Sequence, residues 1–323
     1  MMMNHSMKNQ CRVAPGSTIQ GKWNKHEYTI YRELGAGANG VVYLADFNGT
    51  KVALKLSDNH AGIASEMNVL KSFSKVQGFS LGPYLLHGDD WVKKGGTIPF
   101  YVMEYIHGEE LLPFVEKRGK DWMEALLLQL LTNLEHLHAS GWVFGDLKPE
   151  NLLVTFPAHR IRCVDVGGTT PVGRSIKEFT EFFDRGYWGM GSRRAEPSYD
   201  LFAVAMIFIN AYFPDRFSKQ QGKPNQLEKA ITETAGLREY KLVLLRALAG
   251  KYQGAAEMRA ELLDTIQKRT DGKHSPSPQS QGTTGKRTTR QRKKKRTGFA
   301  ETLFLLLVIC CLYGLYIYSH MIG

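Results

Sequence analysis

The stretch Phe144-Gly145-Asp146-Leu147-Lys148-Pro149-Glu150-Asn151 constrains this chain more than any other. An acid, an ammonium two residues on and an amide three beyond that put three polar functions on one short loop. That spacing suits transfer of a phosphoryl group from a nucleotide to a hydroxyl. The carboxylate of Asp146 orients the hydroxyl and receives its proton, the ammonium of Lys148 meets the charge on the moving group, and the amide oxygen of Asn151 holds a metal ion. A fold that uses this loop must bring nucleotide phosphates to it.

Upstream residues fit that demand. Tyr28 to Leu34 reads as a strand, Gly35-Ala36-Gly37-Ala38-Asn39-Gly40-Val41-Val42 follows, and Tyr43 to Ala45 reads as a second strand. Three glycines in that pattern are also found in an ordinary Gly-rich hairpin, and a dinucleotide fold needs a helix after them. Here β-branched and aromatic residues follow instead. The expectation is a strand–loop–strand cover over phosphates, with Gly35, Gly37, Gly40 and Val42 at the nucleotide and small residues letting backbone N–H groups approach an anion. In Val52-Ala53-Leu54-Lys55, alternation puts Lys55 on a strand with its ammonium free to reach the α- and β-phosphates. Glu66 follows in an expected helix, Ala61 to Phe73. Phe100 to Tyr105 reads as a buried strand. Trp122 to His138 carries an apolar face at helical spacing (Leu126, Leu127, Leu130, Leu134, Leu137) and is expected to lead into the loop. His136 and His138 on it are read as structural rather than ligating.

Downstream, the apolar strand Ile161 to Val164 delivers Asp165. Thr169, Thr170, Ser175 and Thr180 are candidate acceptors for autophosphorylation, against the plainer reading of solvated loop hydroxyls. Tyr199 to Phe213 is apolar with one acid, Asp200, so a buried helix with a carboxylate that must be satisfied is expected. Residues 226 to 267 read as further amphipathic helices.

The length of 323 residues suits one large domain with appendages, and 43% hydrophobic content supports a globular core. The formal charge of +11 is uneven, because eight basic residues crowd one stretch: Lys286, Arg287, Arg290, Arg292, Lys293, Lys294, Lys295 and Arg296. The four cysteines (Cys11, Cys163, Cys310, Cys311) have no metal-ligand spacing and fit a reducing compartment. The polar start carries no secretory signal. Residues 1–27 read as a loose N-terminal arm, 28–267 as the folded domain, 268–300 as a disordered basic linker and 301–320 as a transmembrane helix. The linker assignment rests on Ser, Thr, Pro, Gly and Gln from Thr270 to Gly285. The helix assignment rests on the uncharged run Leu303 to Tyr318, which with its flanks is about 18 residues long, short for a bilayer span. Positive charge before it places the domain in the cytoplasm and the C-terminus outside, at the cell membrane, with no extracellular sensor. The basic run has three readings: a topology signal held at anionic lipid at about 1 kcal/mol per cation, nucleic-acid binding by phosphate neutralisation, or substrate recruitment.

Taken together, these motifs resemble the eukaryotic-type (Hanks-type) Ser/Thr protein kinases and, more narrowly, the YabT-type DNA-binding kinases of spore-forming bacilli. The narrower likeness rests on Trp142 to Pro149, Ile161 to Thr170, Asp184-Arg185-Gly186-Tyr187-Trp188-Gly189 and Ala195 to Ala203. It implies an α+β, bilobal protein-kinase-like fold with a small β-rich lobe and a large helical lobe. It also implies a non-specific serine/threonine protein kinase using ATP and Mg2+, with Mn2+ as an alternative. The family's ion pair maps onto Lys55 and Glu66, its gatekeeper onto Met103, its adenine-contacting backbone onto Glu104 to Ile106, and its second metal ligand onto Asp165. Asp200 maps onto the acid that accepts hydrogen bonds from the catalytic-loop backbone. The likeness favours DNA as the partner of the basic run, activation by crowding kinases on DNA so that they phosphorylate one another in trans, and a sporulation role.

Three departures matter. The usual His-Arg-Asp is Phe144-Gly145-Asp146, so the Arg that pairs with an activation-segment phosphate is missing. Either the segment is held without a phosphate or another group holds it. Val166 replaces the Phe of Asp-Phe-Gly. Gly189-Met190-Gly191 stands where Ala-Pro-Glu is expected, so the usual bracing ion pair is expected to be absent. The rival readings are a catalytically weak or dead kinase-fold membrane scaffold, whose basic run serves topology alone, and a small-molecule phosphotransferase.

Overall fold

The structure is a computed structural model that describes residues 11–274 except 38, 75–80 and 94, with side chains as far as residue 271. Alternating and β-branched runs in the first third form one antiparallel six-stranded sheet. Its strands are β1 (Thr18–Gln20), β2 (Glu27–Gly37), β3 (Gly40–Phe47), β4 (Thr50–Leu56), β5 (Leu85–Lys93) and β6 (Gly96–Glu104), in the order β1-β2-β3-β4-β6-β5. On β2, Tyr28 and Ile30 point inward while Glu27, Thr29 and Tyr31 face water. From Val52 onward β4 is buried on both faces. Val52, Leu54 and Leu56 join Ile30, Tyr43 and Phe100 in the small-lobe core, and Ala53 and Lys55 face the other way. Helix α1 (His60–Phe73) lies between β4 and β5 in the chain, and the Asn59 side chain caps it by accepting from the Gly62 amide at 2.9 Å.

After β6 come β7 (Gly108–Glu110), α2 (Leu111–Arg118) and α3 (Asp121–Ala139). The leucines at 126, 127, 130, 131, 134 and 137 of α3 are all buried in the large-lobe core. Truncating Leu130 to Ala would cost about 2–5 kcal/mol. Next are β8 (Trp142–Val143), the catalytic-loop stretch, β9 (Leu152–Thr155), β10 (Arg160–Cys163), β11 (Thr170–Pro171) and the short α4 (Arg185–Trp188). Helix α5 (Pro197–Asn210) starts with Pro at its first position and is buried from Tyr199 onward. Helices α6 (Gln226–Glu233), α7 (Ala235–Arg238), α8 (Lys241–Leu248) and α9 (Ala255–His274) complete the helical lobe. Two small sheets, β10-β9-β7 and β11-β8, frame the loop between Val143 and Leu152.

Two expected boundaries are corrected. The described part of the arm, from Cys11, belongs to the small lobe. Cys11 and Ile19 are buried in its core, Tyr43 donates to the Cys11 carbonyl at 3.0 Å, and Asp89 accepts from the Trp23 and Asn24 amides. Helix α9 runs past residue 267 to His274. It is held there because Arg269 pairs with Glu124 of α3 at 2.7 Å and donates to the Tyr240 hydroxyl. The expected Gly-rich loop is also shorter than the glycine pattern implied, since β2 runs to Gly37 and β3 starts at Gly40. No helix among the described residues is long and apolar enough to cross a membrane. The expected span at 301–320 lies outside the described residues, as does the linker from residue 275.

Candidate active site

Lys55 sits mid-strand on β4, opposite Val42 on one side and Tyr101 on the other. Its ammonium is 2.7 Å from Glu66 of α1, both side chains only 6% exposed, and 3.9 Å from Asp165. The buried Tyr101 hydroxyl donates to the same Glu66 oxygen at 2.7 Å. Burial, and then the Glu66 charge, push that phenol well above its ordinary range. The Lys55 ammonium compensates the buried charge of Glu66 and the Tyr101 hydroxyl adds a neutral donor to the same oxygen; loss of the cation would leave that charge unpaired. Tyr101 carries no sequence signal. Its position reads as one more apolar strand residue, and only the register opposite Lys55 reveals the contact.

Gly40 has φ +126°, and a Cβ there would meet the Leu56 carbonyl oxygen at 2.2 Å, so the fold itself demands glycine. Around Gly35 and Gly37 no protein atom comes within 4 Å of a Cβ position. Their backbone edges an open cavity of about 590 Å3 between the lobes, which Val42, Lys55, Asp146, Lys148, Asn151 and Asp165 also line. That space is the size of a nucleotide-class pocket. Ala53, Leu153 and Val164 add apolar walls; the sequence reading did not single them out. Met103, Glu104, Tyr105 and Ile106 line the same cavity. The Ile106 amide makes no backbone hydrogen bond among the described residues. The Glu104 side chain turns away to a two-pronged pair with Arg162 at 3.1 and 2.7 Å, so any contact from this residue to a ligand is left to its backbone.

On the opposite wall, the Asp200 carboxylate accepts from the Phe144 and Gly145 amides at 2.8 and 2.9 Å and bonds His138 at 2.9 Å. The acid on α5 thereby fixes the start of the loop, and His138 is committed to it. Lys148 pairs with Asp146. The Thr180 hydroxyl donates to Asp146 Oδ1 at 3.2 Å and accepts from Lys148 at 3.3 Å. Asn151 donates its amide N–H to the Asp146 carbonyl at 3.1 Å, which leaves its amide oxygen as the atom able to ligate. The Asp165 side chain is 51% exposed, and its Oδ1 accepts from the Gly167 amide at 2.9 Å. Two hard oxygen donors on one cavity wall, with the remaining places open to water and phosphate, fit Mg2+ rather than a softer ion.

The four candidate acceptors separate sharply. Thr169 and Thr170 are buried, Thr170 donating to the Gly168 carbonyl at 2.9 Å, so neither is the solvated hydroxyl that an acceptor would need to be. Thr180 is engaged by the catalytic loop. Ser175 alone of the four is exposed. Other groups brace the activation segment in place of the missing Ala-Pro-Glu pair. Arg185 pairs with Glu196, the N-cap residue at the start of α5, and Arg193 pairs with Asp184 at 2.6 Å within the segment. Burial pushes the Asp184 carboxyl up. Hydrogen bonds from Arg193, Tyr199 and the Gly186 and Tyr187 amides outweigh that and hold it below the ordinary carboxylate range. Asn39 in the Gly-rich turn donates to Glu178 of the same segment. Burial, and then the charge of Asp165, raise the Glu178 carboxyl. The eight basic residues from Lys286 to Arg296 lie outside the described residues.

Comparison with known sequences decides the family. The model of the protein kinase domain matches residues 28–274. The chain is a protein kinase. It is 47% identical, over 99% of its own length and 100% of the relative's, to the serine/threonine-protein kinase YabT of Bacillus subtilis. Among solved structures, the PknI kinase domain of Mycobacterium tuberculosis is similar in fold. The TM-score is 0.55 at 18% identity, covering 79% of this chain and 99% of that one; a mutant of the same domain gives 0.57 at 19% identity, with the same coverage. The kinase is thus a serine/threonine protein kinase with a bilobal fold, one lobe β-rich and the other helical.

Proposed function

We propose that this kinase transfers the γ-phosphoryl group of ATP to protein Ser and Thr hydroxyls with Asp146 as base, and that its linker and tail bring it to DNA and to a membrane. The observation that carries the catalytic part is the convergence of Lys55–Glu66, Asp165 and the Asp146–Lys148–Asn151 loop on one cavity. ATP lies with adenine between the apolar walls, its polar edge at the Glu104–Ile106 backbone, and its phosphates under the Gly35–Gly40 turn. Lys55, held straight by Glu66 and Tyr101, meets the α- and β-phosphates. Asp146 orients the acceptor hydroxyl and takes its proton as the new O–P bond forms. The bond from Pγ to the β,γ-bridging oxygen breaks, ADP leaves, and Lys148 meets the charge on the transferred group. Asp165 and Asn151 would hold Mg2+, which neutralises phosphate charge when bound.

The remaining parts rest on sequence. The basic run from Lys286 to Arg296 and the uncharged stretch Leu303 to Tyr318 support a cytoplasmic kinase anchored by a single span. They also support DNA stimulation by crowding, with autophosphorylation in trans and a role in sporulation suggested by the family likeness. The test uses the full chain in vesicles, labelled ATP–Mg2+ and a basic model protein, with or without duplex DNA at two salt concentrations. Transfer that rises with DNA, fades with salt and vanishes in Asp146→Ala supports the reading. Transfer indifferent to DNA leaves the basic run to the membrane surface. ATP binding without transfer under any condition favours a scaffold.

A further inference from the structure

Two residues past Lys148, Glu150 puts a carboxylate on the rim of the cleft. It lies in the short turn Pro149–Asn151, its side chain is 51% exposed, and it lines the same cavity as Asp146 and Lys148. A peptide that brings a hydroxyl to Asp146 passes this rim, and a bare carboxylate there would select a Lys or Arg in that peptide. The carboxylate is not bare. The guanidinium of Arg216, from the loop after α5, donates to it.

Arg216 is held there from several sides. Its φ is +56°, a region that L side chains rarely adopt, and its amide donates to the Phe213 carbonyl at 3.0 Å. Its Nε donates to the side-chain oxygen of the buried Asn210 at 3.3 Å, and the Asn210 amide nitrogen donates in turn to the Phe213 carbonyl at 2.8 Å. The guanidinium also lies over the Phe183 ring, 4.7 Å from its centroid. The turn, the buried amide and the aromatic face fix the cation beside Glu150 before any substrate arrives, so the pair costs little further ordering. Nη1 of Arg216 has no hydrogen-bond partner among the described residues and is left to face the rim.

We infer that Arg216 is a specificity-determining residue: it fills the Glu150 carboxylate from within the chain, so that this kinase turns away acceptor peptides carrying Lys or Arg where they pass Glu150 and takes those with an acidic or neutral residue there. The inference deepens the proposed function and rests on its reading of protein hydroxyls as acceptors. A basic side chain arriving at Glu150 must displace an anchored arginine and then sits beside a like charge, and discrimination of this kind works by repulsion as much as by attraction. An acidic side chain at the same place meets the free face of the guanidinium.

The experiment gives the full chain in vesicles ATP–Mg2+ and a series of peptides with a single Ser, in which one Arg or one Glu is walked through the positions on either side of the acceptor. The reading at each position is the ratio of kcat/KM for the Arg peptide to that for the Glu peptide, which a merely structural role for Arg216 would not move. Arg216→Ala should raise that ratio about threefold to tenfold over the wild type at one position, the worth of a half-exposed ion pair. Adding Glu150→Gln should remove the gain, and Arg216→Lys should keep the wild-type profile. Selection by other acids of the rim, or by the basic run, is the same in every variant and cancels. Should melting curves show Arg216→Ala unfolded, Arg216→Gln, which keeps part of the side-chain stem, takes its place. An unchanged profile in the Arg216 variant, or a gain that survives Glu150→Gln, overturns the inference. Absence of transfer to every peptide, uncharged ones included, overturns instead the reading of protein hydroxyls as acceptors.

Discussion

The two walls of the cleft are anchored by opposite kinds of chemistry. In the small lobe, Lys55 is held by a buried carboxylate that also takes a phenol hydroxyl. In the large lobe, the loop bearing Asp146 is held by backbone donors to a buried acid and by the packing of Ile176 where an arginine is expected. A buried ion pair costs desolvation and is worth keeping only while every partner is present. Apolar packing loses in proportion to the atoms removed. The small-lobe ion pair should therefore fail abruptly, and the apolar part of the large-lobe anchor by degrees.

The sharpest way to break this contrast is Lys55→Met. It strands Glu66 as an uncompensated buried charge, so stability should fall by about 3–5 kcal/mol and transfer should be lost. Chemical denaturation and labelled-ATP assays read the two effects. Asp184→Asn tests the charged part of the large lobe. The Asp184 carboxyl is held below its ordinary range, so its contribution is present above the ordinary carboxylate pKa and is lost as pH falls through the depressed value. In the variant that acid-side loss should flatten, and stability at neutral pH should drop by about 1–3 kcal/mol; urea midpoints from acid to neutral pH check both.

Tyr101→Phe sharpens the comparison from within the small lobe. Removing a neutral donor while Lys55 remains should cost about 1–3 kcal/mol and raise KM for ATP more than it lowers kcat. An unchanged KM would make Tyr101 a core residue only. The smallest effect is expected at Glu178. Its carboxyl is raised by burial and by Asp165, so folding disfavours its ionised form. That penalty is absent below the ordinary carboxylate range and grows as pH rises through the raised value. In protein free of ATP and Mg2+, Glu178→Gln should match wild-type stability at acid pH and slightly exceed it at neutral pH, as melting curves would show.

Much of the site was legible before any coordinates. Lys55, Glu66, Asp146, Lys148, Asn151 and Asp165 have residue types and spacings that few other chemistries require, and all six line or border one cavity. The helix over Trp122 to His138 and the buried run from Tyr199 were readable from apolar periodicity, which burial imposes on sequence directly. The arm was misread because its anchors, Cys11 and Ile19, are isolated apolar residues among polar ones, and their partners lie on β2 and β3. The end of α9 was misread because polar composition at Lys268-Arg269-Thr270 looks like linker until Arg269 is seen to reach Glu124, 145 residues away in the chain.

The same division holds across the molecule. Sequence alone determined the chemical inventory: which groups exist to move a phosphoryl group, which stretches are apolar enough to be buried, and where basic charge is concentrated. Tertiary structure decided what holds those groups in place. Tyr101 on Glu66, Ile176 against Gly145 and Arg269 on Glu124 all depend on contacts between segments distant in the chain. Such contacts leave no periodic trace, because each involves single residues whose partners are chosen by the fold and not by spacing.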